Sequence, residues 1–229
     1  PGVAAWAEHE LPDLVAAGAR VVVSIWGRSI DDYAAAAAAC ADLPPEVVAV
    51  EVNVSCPNVE DRHRMFAHAP ESTTAVLEAT AEVGRPRWAK LSPNVTDLVE
   101  IAEAAARGGA EAVTLVNTVM GMVIDLDRRR PLLGGGGGGL SGPAIHTVAV
   151  LAVDDVHATL QDLPIGGVGV VASAEHAIAF IMAGASAVQV GTANFADPAV
   201  TADIVGGIGR WCVANGIDHV SELTGVAHR

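Results

Sequence analysis

The chain has 229 residues, of which 51% are hydrophobic and 17% charged, enough for one large core, and we predict a single domain over residues 1–229. Its net charge of −14 and pI near 4.8 argue against a nucleic-acid or anionic-membrane surface, because phosphate binding needs clustered Lys and Arg. No stretch approaches the roughly 18 consecutive apolar residues of a membrane span, so we expect a cytoplasmic protein with no membrane-spanning segment.

Helices and short β-branched strands alternate along the chain. Helices are predicted over 4–17, 31–41, 72–83, 97–107, 143–160, 174–183 and 198–214, the second with Ser29 as its N-cap. Strands are predicted over 21–26, from 47 into the stretch 51–58, and over 88–91, 112–117, 164–169 and 187–191. A long loop is expected from about 119 to 142, with six consecutive glycines at 134–139.

This alternation predicts an α/β protein with a parallel sheet, because the strands are apolar throughout, as strands buried on both faces are. A doubly wound sheet fits the same pattern. Polar residues at the end of nearly every strand favour the (β/α)8 TIM barrel, whose active face is a ring of strand ends. Two more units, about 60–75 residues, would close it. We therefore expect about six C-terminal βα units of an N-terminally incomplete barrel.

The stretch Glu-Val-Asn-Val-Ser-Cys-Pro-Asn at 51–58 carries the strongest chemical signal. A buried strand there delivers Asn53, Cys56 and Asn58 to a predicted pocket. Composition alone favours a plain buried thiol for Cys56, but its position after the strand favours a general base. An ordinary thiol, with a pKa of about 8.5, is only slightly ionised at neutral pH, so such a base needs a polar pocket or a neighbouring cation, for which Lys90 is a candidate.

Polar groups also follow the other strands. Lys90 on an apolar strand must pair, form a Schiff base or hold its charge beside an electron-rich cofactor. Asn117 and Thr118 offer hydrogen-bond donors and acceptors that suit a ring bearing amide-like groups. The glycines of 166–169 and 191 follow the last two strands, where TIM barrels often bind phosphate. The histidines and cysteines show no ligand spacing, so no metal is expected.

Five motifs together resemble the class 1 dihydroorotate dehydrogenases over essentially the whole chain. They are Asn-Val-Ser-Cys-Pro-Asn at 53–58, Ala-Lys-Leu-Ser-Pro-Asn-Val-Thr-Asp at 89–97, Thr-Leu-Val-Asn-Thr at 114–118, Gly-Gly-Leu-Ser-Gly-Pro-Ala-Ile at 138–145 and Ala-Gly-Ala-Ser-Ala-Val-Gln-Val-Gly-Thr-Ala at 183–193. The fold that this resemblance implies is the FMN-binding TIM barrel.

The resemblance also implies roles. Cys56 would take a proton from C5 of dihydroorotate while a hydride leaves C6 for FMN; the second class of the enzyme uses Ser instead. The residues implied to bind substrate are Asn53, Asn58, Asn117 and Thr118. Those implied to bind FMN are Ser24, Asn53, Lys90, Val116, Gly142, Gly167, Gly169, Val170, Gly191 and Thr192.

Three departures from the family pattern affect these expectations. The first two strands of the family's barrel, with a flavin-contacting Lys and a substrate loop, are missing. Ser24 stands where many members have Asn, a longer side chain. Val170 replaces the last glycine of the family's Gly-x-Gly-Gly, and we expect weaker FMN binding because a β-branched residue tolerates positive φ poorly.

The expected function is oxidation of dihydroorotate to orotate in pyrimidine synthesis. In the family, the NAD-linked subclass works with an iron–sulfur and FAD subunit, and the fumarate-linked subclass works alone as a dimer. The motifs at 94–97 and 121–126 resemble the former, so we expect that partner and a homodimer or heterotetramer. One alternative is a degenerate barrel fragment that binds a phosphate-bearing ligand or partner without redox activity. Another is an aldolase with a Schiff base at Lys90.

Overall fold

The computed structural model describes residues 2–55, 65–169 and 171–228. The chain divides into two compact units, one made of residues 1–91 and 99–114 and the other of residues 92–98 and 115–229. Both contain parallel strands followed by helices, which confirms the α/β class. The eight-unit barrel and the single domain stay predictions.

The first unit contains a parallel sheet whose strands pair in chain order. Its strands are β1 (Val21–Ile25), β2 (Val47–Asn53), β3 (Arg87–Lys90) and β4 (Ala112–Leu115). Its helices are α1 (Val3–His9), α2 (Leu11–Ala16), α3 (Ile30–Ala38), α4 (Pro70–Ala79) and α5 (Leu98–Arg107), with 3-10 turns at Phe66–His68 and Ala81–Val83. The single helix predicted over 4–17 breaks at Glu10, because Pro12 lacks an N–H and favours the first turn of a new helix.

Helix α3 begins at the N-cap that the sequence predicts. The Ser29 hydroxyl accepts from the backbone N–H of Asp32 at 3.2 Å, and the Asp32 carboxylate accepts from the Ser29 N–H at 3.1 Å. The Arg28 N–H also donates to this carboxylate and lowers the pKa of Asp32. This capping box fixes where the chain turns from β1 into α3.

The core beneath β2 holds the end of that strand in place. Tyr33 on α3 is fully buried and packs edge-to-face against Phe66, with ring centroids 5.3 Å apart. The Tyr33 hydroxyl donates to the backbone carbonyl of Asn53 at 2.7 Å. The last residue of β2 is therefore anchored by a buried aromatic pair.

The second unit contains two parallel strands and two short antiparallel pairs. β9 (Ile165–Val168) and β10 (Ala187–Gln189) are parallel, whereas β5 (Val119–Gly121) pairs with β8 (Gly138–Leu140) and β6 (Ile124–Asp125) with β7 (Arg130–Pro131). Its helices are α6 (His146–Thr159), α7 (Ala174–Met182), α8 (Ala193–Ala196) and α9 (Val200–Ala214).

The prediction of a plain loop over 119–142 is wrong, because this segment contains the two antiparallel pairs. Two of its six consecutive glycines, Gly138 and Gly139, lie in β8. A Cβ at Gly139 would overlap the Thr118 side chain, so the close approach of β8 requires glycine.

Packing around α7 closes the second unit. Ile178, Ile181, Cys212 and Leu223 form a buried cluster. Helix α9 continues through its glycines. Gly207 allows α9 to pack closely on α7, because a Cβ there would lie 2.6 Å from the Ala174 Cβ. In the part of the chain that the structure describes, none of the helices is long and apolar enough to cross a membrane.

Candidate active site

The ends of β1, β2 and β3 bring three predicted site residues onto one face of the first unit. Ser24 is level with Glu51, and Asn53 is level with Lys90. Because side chains alternate along a strand, Glu51 and Asn53 face the same side as their register partners. The strand register therefore places Ser24, Asn53 and Lys90 on one face of this sheet, and their expected role in binding FMN stays a prediction.

The turn after β2 is held by hydrogen bonds. The Asn53 side-chain oxygen accepts from the Ser55 N–H at 3.2 Å, and the Ser55 hydroxyl donates to the Lys90 carbonyl at 3.3 Å. Together with the Tyr33 bond, these contacts fix Asn53 and tie the turn to β3. The described chain stops at Ser55, one residue before Cys56.

Three predicted site residues, Cys56, Asn58 and Val170, lie outside the described residues. Their roles stay predictions.

Glu51 is a buried carboxylate that the sequence interpretation missed. Its side chain is only 6% exposed and accepts hydrogen bonds from the Ser24 hydroxyl at 2.9 Å and from the Thr114 hydroxyl at 2.9 Å. The available signal was a single acidic residue inside the apolar run 47–52. Such a residue is rarely buried without a specific partner.

In the second unit, Asn117 and Thr118 follow β4 and are held by an asparagine that was also missed. The Asn117 side-chain oxygen accepts from the Thr118 N–H at 2.8 Å. The Asn94 amide donates to the Thr118 carbonyl at 2.9 Å, and its oxygen accepts from the Met120 N–H at 2.8 Å. Asn94 thus joins both sides of the turn into β5.

The glycines predicted to bind FMN fall into two groups. A Cβ at Gly167 would lie 2.7 Å from the Phe180 ring, and one at Gly169, where φ is +134°, would lie 2.7 Å from the Ala149 Cβ. These two are required by packing. Among the residues that the structure describes, a Cβ at Gly142 or Gly191 would meet no atom within 4 Å, so their backbone borders space that a ligand can approach.

Val116 and Thr192 complete the predicted set. Val116 is 2% exposed, and its N–H donates to the Val168 carbonyl at 2.7 Å, so the chain after β4 pairs with β9. Its side chain lies beneath Gly169, 3.9 Å from where a Cβ would stand. Thr192 is exposed at the start of α8.

A histidine pair lies beside the glycine loop after β9. The rings of His146 and His176 are 4.4 Å apart at their centroids, and His146 packs edge-to-face on Phe180. Burial lowers the pKa of His146, the neighbouring His176 lowers it further, and the Gly169 carbonyl opposes the shift. His146 therefore favours its neutral form in the folded protein.

This shift predicts a loss of stability in acid. In the unfolded chain, His146 takes up a proton near its ordinary pKa of about 6.5, whereas in the folded chain it does so only at lower pH. The contribution of neutral His146 to the free energy of unfolding is therefore complete above that pH and falls as the pH drops toward the lowered pKa. Urea unfolding from about pH 8 to about pH 5 should show a shallower decline in His146→Asn than in the wild type. His9→Asn, at a site whose side chain is 69% exposed, is the control. Equal declines in wild type and His146→Asn would contradict the assignment.

In the first unit, parallel strands end in amide, hydroxyl and ammonium groups, as in α/β enzymes that bind ligands at their strand ends. The sequence model of the dihydroorotate dehydrogenase family matches residues 1–211. The chain therefore belongs to the dihydroorotate dehydrogenase family, and the resemblance predicted from its motifs is confirmed.

Individual relatives agree. A dihydroorotate dehydrogenase B (NAD(+)) catalytic subunit from Desulforudis audaxviator (strain MP104C) is 46% identical over 230 residues, which cover 100% of this chain and 74% of the relative. Proteins of the same name from Geobacter sulfurreducens and Geotalea daltonii are each 43% identical over 225 residues, covering 98% of this chain and 73% of theirs. The chain thus spans about three quarters of these relatives.

Proposed function

We propose that this protein oxidises dihydroorotate to orotate in pyrimidine biosynthesis, with FMN as its cofactor. Family membership supports the reaction. The structural observation that best supports this reaction is the register of β2 and β3, which sets Asn53 level with Lys90. The turn at 53–55, held by its hydrogen bonds, comes directly before Cys56 in the chain. An amide and an ammonium so arranged suit a polar ring substrate and a flavin, and the thiol of Cys56 follows Asn53 in the chain.

The described residues fit FMN. In the first unit, Ser24, Asn53 and Lys90 offer a hydroxyl, an amide and a positive charge on one face, which match the carbonyl and N–H edge of a flavin ring. In the second unit, the open backbone at Gly142 and Gly191 suits close approach of a phosphate. When bound, FMN would accept the hydride that leaves C6 of the substrate.

The chain itself would supply proton removal and orientation. Cys56 would take the C5 proton. The hydrogen bonds of Asn53 and Ser55 hold the turn that precedes it in the chain. Asn58, Asn117 and Thr118 would hold the pyrimidine. Val116, Gly167, Gly169, Val170 and Thr192 would shape the remaining FMN contacts.

The names of the relatives guide the proposal on partners. Each is called a catalytic subunit and is NAD(+)-linked. We infer an electron-transfer subunit carrying an iron–sulfur cluster and FAD, in a heterotetramer, with a homodimer as the simpler assembly. A complete eight-unit TIM barrel and a cytoplasmic location belong to the same proposal.

Steady-state turnover tests this function. The purified chain, incubated with FMN, dihydroorotate and a dye that accepts electrons, should form orotate in proportion to dye reduction. Orotate formation without added dihydroorotate is the blank. A chain that binds phosphate-bearing ligands but never takes up FMN would instead support the non-redox alternative and contradict the proposal.

A further inference from the structure

Asn94 holds the turn in which two of the proposed substrate-binding residues lie. Its side-chain NH₂ donates to the Ser92 hydroxyl at 2.9 Å and to the Thr118 carbonyl at 2.9 Å. Its side-chain oxygen accepts from the Met120 N–H at 2.8 Å. The Asn94 backbone N–H also donates to the Ser92 hydroxyl, at 3.2 Å, and Ser92 is only 1% exposed. The amide is therefore fixed to a buried residue on one side and to the segment 118–120 on the other.

The Asn94 amide takes the place of a neighbouring strand beside β5. In an antiparallel pair, the backbone groups of successive residues point to opposite edges, so a C=O and the N–H two residues further along share an edge. The Thr118 carbonyl and the Met120 N–H are spaced in this way, and Asn94 bonds both. Met120 is level with Gly139 of β8, between the two other pairs of this ladder. β5 is thus held by β8 along one edge and by Asn94 along the other.

Thr118 is held from three directions, of which Asn94 provides one. Its N–H donates to the Asn117 side-chain oxygen at 2.8 Å, and its carbonyl accepts from Asn94. Its side chain lies so close to Gly139 that a Cβ at Gly139 would overlap it. Without the Asn94 amide, the carbonyl would lose this donor and the turn would be less restricted. The positions of Asn117 and Thr118 therefore depend on Asn94.

We propose that Asn94 is a positioning residue that holds Asn117 and Thr118 in the arrangement that binds the pyrimidine, and so sets the affinity for substrate through them. The role rests on the proposed function, because it requires the pyrimidine to contact Asn117 and Thr118. Asparagine suits this position because the Thr118 carbonyl needs a donor and the Met120 N–H needs an acceptor, and a carboxamide offers both. An ionised carboxylate of the same length can only accept.

The test is the affinity of the FMN-loaded full chain for orotate, measured by calorimetric titration at about pH 7, where a carboxyl introduced at position 94 is ionised. Asn94→Ala and Asn94→Asp both lose the donor to the Thr118 carbonyl, and we expect each to bind orotate about three- to tenfold more weakly. FMN affinity should stay unchanged. In turnover, KM for dihydroorotate should rise by a similar factor while kcat changes by less than about twofold, the pattern of a lost binding interaction.

Asn215→Ala is the matched control. The Asn215 side-chain amide donates to the Trp211 carbonyl at 2.8 Å at the end of α9, so this change also removes a bond from an amide to a backbone carbonyl. Neither residue is among those proposed to bind substrate or FMN. Orotate affinity and KM in Asn215→Ala should equal those of the wild type.

Orotate affinities in both Asn94 variants equal to that of Asn215→Ala would overturn the role. A fall in FMN affinity as large as the fall in orotate affinity would also overturn it, because the whole fold would then have loosened. If Asn94→Ala does not fold, Asn94→Asp decides, because it keeps the acceptor for the Met120 N–H; if neither folds, Asn94 serves the whole fold and the role is contradicted. A wild type that binds no orotate contradicts the proposed function first, and this role with it, so the two failures are distinguishable.

Discussion

Replacing Cys56 with alanine is expected to lower dihydroorotate oxidation by about 10²–10⁴-fold, the usual contribution of a positioned general base. FMN should remain bound, because the residues proposed to hold it are unchanged. Cys56→Ser should retain part of the activity, since the resemblance implies that a serine serves as the base in the second class of these enzymes. The measurement is the rate of orotate formation at saturating dihydroorotate, with FMN content determined from absorbance.

A second cysteine gives the matched control. Cys40 is fully buried, and burial raises the pKa of its thiol, so it stays protonated and unreactive. Cys40→Ala should lose stability by about 1–2 kcal/mol through the small cavity it leaves, with little change in rate per bound FMN. Equal rates in wild type and Cys56→Ala would exclude Cys56 as the base.

Gly191→Ala should weaken FMN binding about tenfold or more, corresponding to ~1.4 kcal/mol, without destabilising the protein. A Cβ at Gly191 would meet no atom of the described chain within 4 Å, so the described fold has room for it. The same Cβ would occupy the open space in which we place the phosphate. Fluorescence titration of FMN and urea unfolding of the apoprotein measure the two effects separately.

Two other glycines provide comparison variants for Gly191→Ala. A Cβ at Gly134 would likewise meet no atom of the described residues within 4 Å, but Gly134 is not among the residues proposed to bind FMN, so Gly134→Ala should bind FMN normally. Gly169→Ala should destabilise the apoprotein itself, because φ there is +134° and the Cβ would lie 2.7 Å from the Ala149 Cβ. Unchanged FMN affinity in Gly191→Ala would remove Gly191 from the proposed site.

Local sequence signals predicted most of the strands and helices well. The β-branched runs gave β1 to β4 within one or two residues, because strands covered on both faces are apolar without interruption. Ser29 and Asp32 specified the start of α3 through their own hydrogen bonds. Asn53 and Lys90 are level in the structure because β2 and β3 are adjacent parallel strands with this register, and the roles expected of them stay predictions.

Features that depend on distant residues were missed. The antiparallel pairs within 119–142 form between stretches too short and too rich in glycine to show a strand pattern. Asn94 bonds Thr118 and Met120, more than 20 positions along the chain, and no local pattern around Asn94 indicates these partners. Glu51 could be recognised only once Ser24 and Thr114 were seen on either side of it.

Anaerobic mixing of the FMN-loaded chain with dihydroorotate tests the central claim most directly. The flavin absorbance should bleach in a single turnover, with one orotate formed per FMN reduced. Cys56→Ala should bleach far more slowly at the same FMN occupancy. An FMN-loaded wild type that keeps its absorbance in excess dihydroorotate would contradict the account.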